Sequence, residues 1–211
     1  MRDRNAPLTV ESAALLDWAK MDGMLPAVVQ DAATLQLLML GYMNAEALRR
    51  TLESGQVTFY SRSKDRLWTK GETSGNYLRL RAVFADCDND ALLVRADPDG
   101  PTCHLGTDSC FTAEGPDGVG WLAGLAQIVH ARAGADADSS YTARLIKEGI
   151  SRIAQKIGEE GVELALAGVS GDKDACVSEA ADLIYHLTVL MEVRGFGWDD
   201  VTAKLRERHQ K

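Results

Sequence analysis

The sequence predicts two domains: an N-terminal α+β domain of mostly antiparallel strands with short helices, and a C-terminal all-α helical bundle. Three observations carry this expectation. Between about Pro26 and Pro98, six short segments rich in apolar residues are bounded by Gly, Asn, Asp or Ser, as strands are. From Trp121 onward that pattern gives way to apolar residues three or four apart, the period of a helix. The stretch TAEGPDGVG at 112–120 holds three glycines and a proline, which is turn or linker chemistry. A run of strands, a linker and a run of helices favour separate domains over 1–114 and 121–211, joined by 115–120.

The elements follow in order. Glu11 or Ser12 to Lys20 reads as a short amphipathic helix. PAVVQD, LQLLMLG, VTFY, RLWTK, YLRLRAVFADCD and ALLVRAD read as the strands. Leu78, Leu80 and Ala82 alternate with Arg79 and Arg81, so one face of that strand is expected to be buried. Asn44 is an N-cap for a helix over Ala45–Glu53, and Gly55 stands just past its end. Helices are expected over Trp121–Ala133, Ser140–Ala167 with a break at Gly149, Lys173–Arg194 and Trp198–Gln210.

Composition excludes several function classes. The 211 residues carry 23 Lys plus Arg against 31 Asp plus Glu, a net charge of −8. The excess is shared: 12 basic and 16 acidic residues precede the end of Glu114, and 11 and 15 follow it. Such a balance argues against nucleic acid or an anionic membrane as partner. No signal-peptide run opens the chain and no apolar stretch approaches a membrane span, so a cytoplasmic protein is expected. In a reducing compartment Cys87, Cys103, Cys110 and Cys176 are expected to be ligands, nucleophiles or core residues.

Two constellations carry chemistry. In the first, Asp86-Cys87-Asp88-Asn89-Asp90 ends a predicted strand, and Cys103, His104 and Cys110 follow. Strand alternation would point Asp86, Asp88 and Asp90 to one side and Cys87 to the other, sorting oxygen ligands suited to Mg²⁺ from thiolates suited to Zn²⁺. Three thiolates and a water leave a reacting position open on zinc, and His104 is the candidate base for that water. A closed Cys₃His structural zinc, or a solvated turn beside core cysteines, is the plainer alternative. The turn Trp68–Asn76 offers backbone N–H groups, hydroxyls and Lys70, which suits phosphate, and Arg62 and Lys64 could add charge; a polar hairpin loop is the alternative.

In the second, Glu159, Glu160 and Glu163 are spaced to share one helical face, and Glu179 and Asp182 share a face of the next helix. Like charges so spaced repel, and a hard cation such as Mg²⁺ would offset them. Gly158 and Gly161 inside this helix suggest close approach of a backbone or ligand, and Lys156 could meet a phosphate. A solvated acidic face is the plainer reading.

The stretch LLMLGYMNAEAL…VTFYSRSKDRLWTKGETSGNYL…ADCDND…GPTCHLGTDSCF strongly resembles phosphoribosyl-AMP cyclohydrolase from about Leu25 to Phe111. The resemblance implies Mg²⁺ on Asp86, Asp88 and Asp90, Zn²⁺ on Cys87, Cys103 and Cys110, and an intertwined dimer whose zinc site draws on both chains. It makes Arg62, Lys70, Thr73, Ser74 and Asn76 candidates for binding substrate. Trp121 to Gln210 resembles phosphoribosyl-ATP pyrophosphatase, of the all-α nucleoside triphosphate pyrophosphohydrolase type, through EExxE at Glu159, Glu160 and Glu163 and ExxD at Glu179 and Asp182. There the expected ligands of Mg²⁺ are those five acids, with Glu160 and Glu163 also positioning water and Lys156 binding substrate. Together the resemblances imply a bifunctional hydrolase of histidine biosynthesis. It would convert phosphoribosyl-ATP to phosphoribosyl-AMP and pyrophosphate, then open the adenine ring at N1–C6. A general nucleotide pyrophosphatase with a structural zinc domain, or a metal-dependent nucleotide-binding regulator, are the alternatives.

Overall fold

The computed structural model describes residues 3–112 and 114–209. The chain divides into two compact units, residues 1–121 and 122–211, and residues 115–120 pack with the first.

In the first unit a four-stranded sheet has the order β2-β1-β6-β5, built from β1 (Leu25–Asp31), β2 (Leu37–Met43), β5 (Leu78–Ala85) and β6 (Leu92–Pro98). β1 runs antiparallel to β2 and parallel to β6, and β5 and β6 are antiparallel. Strict alternation along β1 buries Leu25, Ala27, Val29 and Asp31, and β6 buries Leu92, Val94 and Ala96 beside them. A hairpin of β3 (Thr58–Ser61) and β4 (Arg66–Thr69) forms a second sheet. α1 (Ala45–Ser54) packs Ala47, Leu48 and Thr51 inward; Asn44 caps it by accepting from the Ala47 N–H at 2.8 Å, and Gly55 ends it in the left-handed region.

Three local expectations are corrected. The segment from Glu11 to Lys20 forms two 3-10 turns, Ser12–Leu15 and Ala19–Met21, instead of one helix. Thr9 and Ser12 exchange backbone-to-hydroxyl hydrogen bonds, and Leu16 is extended and buried in the core, which stops the helix. In β5 an irregularity between Leu80 and Ala82 shifts the register, so Leu78 before it and Val83 and Ala85 after it are buried, while Ala82 is not. The same strand ends at Ala85, three residues before Asp88.

The second unit is helical: α2 (Gly120–Ala133), whose first two residues belong to the first unit, α3 (Tyr141–Glu148), α4 (Ile150–Ser170), α5 (Lys173–Arg194) and α6 (Trp198–His209). Gly149, at φ +95°, separates α3 from α4. Gln210, the expected end of the last helix, lies outside the described residues. Asp172 caps α5 by accepting from the N–H groups of Asp174 and Ala175. Leu125, Val129, Leu145, Ile153 and Val189 form the core. Among the described residues no other part of this chain comes within 4 Å of a Cβ built at Gly158 or Gly161, so the close approach expected at them is not made by a backbone of this chain. Val162, Leu166 and Val169 of α4 are exposed.

Candidate active sites

In the first unit, two loops close on one cavity of about 590 Å³, lined by Lys70, Thr73, Ser74 and Asn76 from one side and Cys103, His104 and Cys110 from the other. The thiol loop is anchored on β2, a sheet edge with free backbone groups: the Cys110 N–H donates to the Leu38 carbonyl at 2.7 Å and the Ser109 hydroxyl to that of Leu37 at 2.7 Å. The opposite loop turns at Gly71, at φ +93°, where a Cβ would lie 2.7 Å or less from the backbone of Asn76 and Tyr77. Asn76 joins the two loops, donating from its side chain to the Pro101 carbonyl at 3.3 Å.

The surroundings of Cys103 and Cys110 shift the two thiols in opposite directions. The pKa of Cys103 is lowered, by the Leu105 backbone first and then by the Thr107 and Cys110 side chains, whereas desolvation raises that of Cys110. Lys70 is buried, donates to the Asn76 carbonyl at 3.3 Å and has its pKa lowered by burial. His104 is exposed at the cavity, with Nδ1 4.0 Å from the Cys103 sulfur. The Thr102 hydroxyl on the cavity wall is buried and has no hydrogen-bond partner among the described residues. Arg62 stands apart: its guanidinium lies 3.8 Å over the Tyr42 ring, in a neighbouring groove.

The acidic segment after β5 is a turn. The Asp86 carboxylate accepts from the N–H groups of Asp90 (3.0 Å) and Ala91 (3.2 Å), and Asn89 takes φ +63°. This overturns the strand alternation expected there, because Asp86, Cys87 and Asp88 bring one ligand atom each within 4.8 Å of one another. Among the described residues no such group unites Cys87 with Cys103 and Cys110. Lys20 ion-pairs with both Asp88 and Asp90, a partner that no local pattern signals.

In the second unit, Glu160 of α4 and Glu179 and Asp182 of α5 bring carboxylate oxygens within 4.8 Å of one another. Two oxygens on one Mg²⁺ or Ca²⁺ ion, at about 2.0–2.6 Å each, lie no further apart than about 5 Å, so the set fits a hard cation. Lys156 and Glu159 sit beside this set: Lys156 pairs with Glu159 at 2.9 Å and Glu160 at 2.7 Å, and Glu159 also accepts from Gln155 at 2.8 Å. Lys156 holds the Glu160 carboxyl below the usual range. Glu163 is shifted the other way, by desolvation first and then by the charges of Glu160 and Glu179. His186, which by sequence reads as a residue with a structural hydrogen bond, is buried beside this set. Its Nδ1 lies 2.9 Å from the Asp182 carbonyl and its Nε2 3.3 Å from the Tyr141 hydroxyl, and Glu160 is 3.8 Å away. Its place four residues after Asp182 on the helix brings it there.

Comparison with known proteins assigns each unit. The phosphoribosyl-AMP cyclohydrolase family matches residues 39–112, and the phosphoribosyl-ATP pyrophosphohydrolase family matches residues 122–209. The histidine biosynthesis bifunctional protein HisIE of Photobacterium profundum is 58% identical over 201 residues, covering 93% of this chain and 97% of its own. This chain belongs to the bifunctional histidine-biosynthesis family. Its relatives in Xanthomonas axonopodis pv. citri and Escherichia coli K12 are 55% and 54% identical, over 98% and 96% of this chain and 98% and 100% of theirs. Like them, this family member is a hydrolase with two catalytic domains, and the thiol cavity and the helical acid set fall one in each. Among its described residues no helix is long and apolar enough to cross a membrane.

Proposed function

We propose that the helical unit hydrolyses phosphoribosyl-ATP to phosphoribosyl-AMP and pyrophosphate, and that the strand-rich unit opens the adenine ring of that product at N1–C6. The observation that carries this reading is the single cavity joining the Trp68–Asn76 loop to Cys103, His104 and Cys110, in a chain whose other unit gathers Glu160, Glu179 and Asp182.

Cys87, Cys103 and Cys110 would hold Zn²⁺, Asp86, Asp88 and Asp90 would hold Mg²⁺, and Glu159, Glu160, Glu163, Glu179 and Asp182 would serve a second Mg²⁺ site. When bound, zinc acidifies water and magnesium neutralises charge developing on a phosphoryl group. His104, exposed at the cavity, takes a proton from the attacking water. Thr73 and Ser74 present hydroxyls to a phosphate, while buried Lys70 supplies positive charge from the cavity wall and Asn76 fixes the loop. Glu160 and Glu163 orient water in the helical unit, and Arg62 and Lys156 supply further charge to the two substrates.

The protein works as a homodimer in this reading. Cys87 groups with Asp86 and Asp88 in its own chain, so a second copy's Cys87 completes the thiol set. The exposed Val162, Leu166 and Val169 give the helical unit an apolar surface for the same purpose. Four free cysteines suit the reducing cytoplasm.

Purified protein given phosphoribosyl-ATP, Mg²⁺ and Zn²⁺ should release pyrophosphate and accumulate the ring-opened product in equal amounts. Pyrophosphate without ring opening would mean a pyrophosphatase with a structural zinc domain. No reaction would favour a nucleotide-binding regulator.

A further inference from the structure

Lys20 lies upstream of the matched cyclohydrolase residues 39–112, yet the fold delivers it to the acidic turn. One backbone hydrogen bond ties its segment to that turn, and a second folds the segment on itself. The Asp17 N–H donates to the Asn89 carbonyl at 2.9 Å, and the Asp17 carboxylate accepts from the Lys20 N–H at 3.2 Å. From this position the ammonium pairs with Oδ2 of Asp88 and Oδ2 of Asp90 together. It therefore occupies two of the oxygens that a divalent ion on this turn would use. An ammonium beside a divalent cation is repelled at short range, and the lysine stem is long and flexible enough to withdraw into water.

We propose that Lys20 is the built-in counter-cation of the acidic turn: it holds Asp88 and Asp90 together before metal arrives, yields their oxygens on binding, and so sets the turn's metal affinity. This rests on reading Asp86, Asp88 and Asp90 as a metal site. Lys20 is then a positioning residue. Its exchange for metal also predicts that the ammonium becomes more accessible when the site fills.

The test uses full-length, zinc-loaded protein carrying Glu179→Gln and Asp182→Asn in every arm, so that the helical acids contribute little. Mn²⁺ binding is followed by electron paramagnetic resonance, with and without Lys20→Met or Lys20→Arg. Lys20→Met is expected to tighten Mn²⁺ binding by about tenfold, the scale of one unit charge removed a few ångströms away in a partly solvated site. Lys20→Arg, which keeps the charge, should stay within about threefold of the unsubstituted protein. Acetylation of Lys20 by acetic anhydride, read by mass spectrometry, should speed up several-fold on adding Mn²⁺. Equal Mn²⁺ affinity in the Met variant, or weaker affinity, overturns the role assigned to Lys20 while leaving the metal site standing. Absence of binding in every arm overturns the metal site and the proposal with it. A Lys20 acetylation rate that Mn²⁺ leaves unchanged overturns the exchange.

Discussion

Lys156 and Glu160, one turn apart on α4, form a 2.7 Å ion pair in which the carboxylate is 6% exposed and the lysine 21%. Glu160 is also the buried member of the acid trio, so its charge is sustained within its own helix before any cation binds. Lys156→Met should therefore destabilise the metal-free helical unit by about 1–2 kcal/mol at neutral pH, the scale of a hydrogen bond to a charged group. The sign with pH is set by a lowered carboxyl pKa in the folded state. The pair's contribution is present above the unfolded-state value and fades as pH falls through the folded one. Denaturation followed by circular dichroism should show the two proteins converging in acid, and Mg²⁺ should narrow the gap at neutral pH.

Glu163 predicts the opposite slope. Its carboxyl is raised by desolvation and by the neighbouring charges of Glu160 and Glu179. A raised folded-state value favours the protonated form, so its contribution is greatest below the unfolded-state pKa and is lost as pH rises through the folded one. Glu163→Gln should make the metal-free protein more stable near neutral pH and leave it unchanged in strong acid. The pyrophosphate-releasing reaction should weaken in the same variant. A melting temperature that falls at neutral pH would show that Glu163 is held by favourable contacts instead.

These opposed neighbours also show how far the sequence could be read. Elements closed by local chemistry were legible: Asn44 and Gly55 bound α1, and Gly149 divides α3 from α4. What failed depended on distant partners. The burial of Leu16 broke the helix expected up to Lys20, and the shift in β5 exchanged Ala82 for Val83 on the buried face. The acidic turn misled for a related reason, since the Asp86 carboxylate gathers the N–H groups that a continuing strand would have used. The two loops of the thiol cavity were each visible in the sequence, but their meeting was not, because it rests on Asn76 reaching Pro101 across 25 residues. Helix spacing placed Glu159, Glu160 and Glu163 together, whereas burial singles out Glu160.

Gly71 offers a test of that cavity through backbone geometry alone. Alanine there would combine a positive φ with a Cβ 2.6 Å from the Tyr77 nitrogen, and both neighbours in contact are backbone, which has little room to yield. Gly71→Ala should cost the first unit about 2–4 kcal/mol, from left-handed strain plus overpacking. Ring opening should fall at least tenfold. Gly75→Ala, also at positive φ but with open space around its Cβ, should cost about 1–2 kcal/mol, the strain alone. Equal losses in the two variants would remove the close approach as the cause.

The division into two compact units predicts that their activities separate cleanly. Cys103→Ser replaces a thiol whose pKa its surroundings lower with a hydroxyl far harder to ionise. If Cys103 holds the proposed zinc, ring opening of phosphoribosyl-AMP should drop by roughly a hundredfold or more, since losing a ligand would cost at least as much as losing its supporting hydrogen bonds. Pyrophosphate release from phosphoribosyl-ATP should stay within about twofold. Glu160→Gln should do the reverse, removing charge from the buried member of the helical trio, so that phosphoribosyl-ATP accumulates while supplied phosphoribosyl-AMP is still opened. Each variant assayed with each substrate separately gives four rates. Loss of both reactions in either variant would mean that the units depend on one another for their fold, because the two acid and thiol sets share no residue.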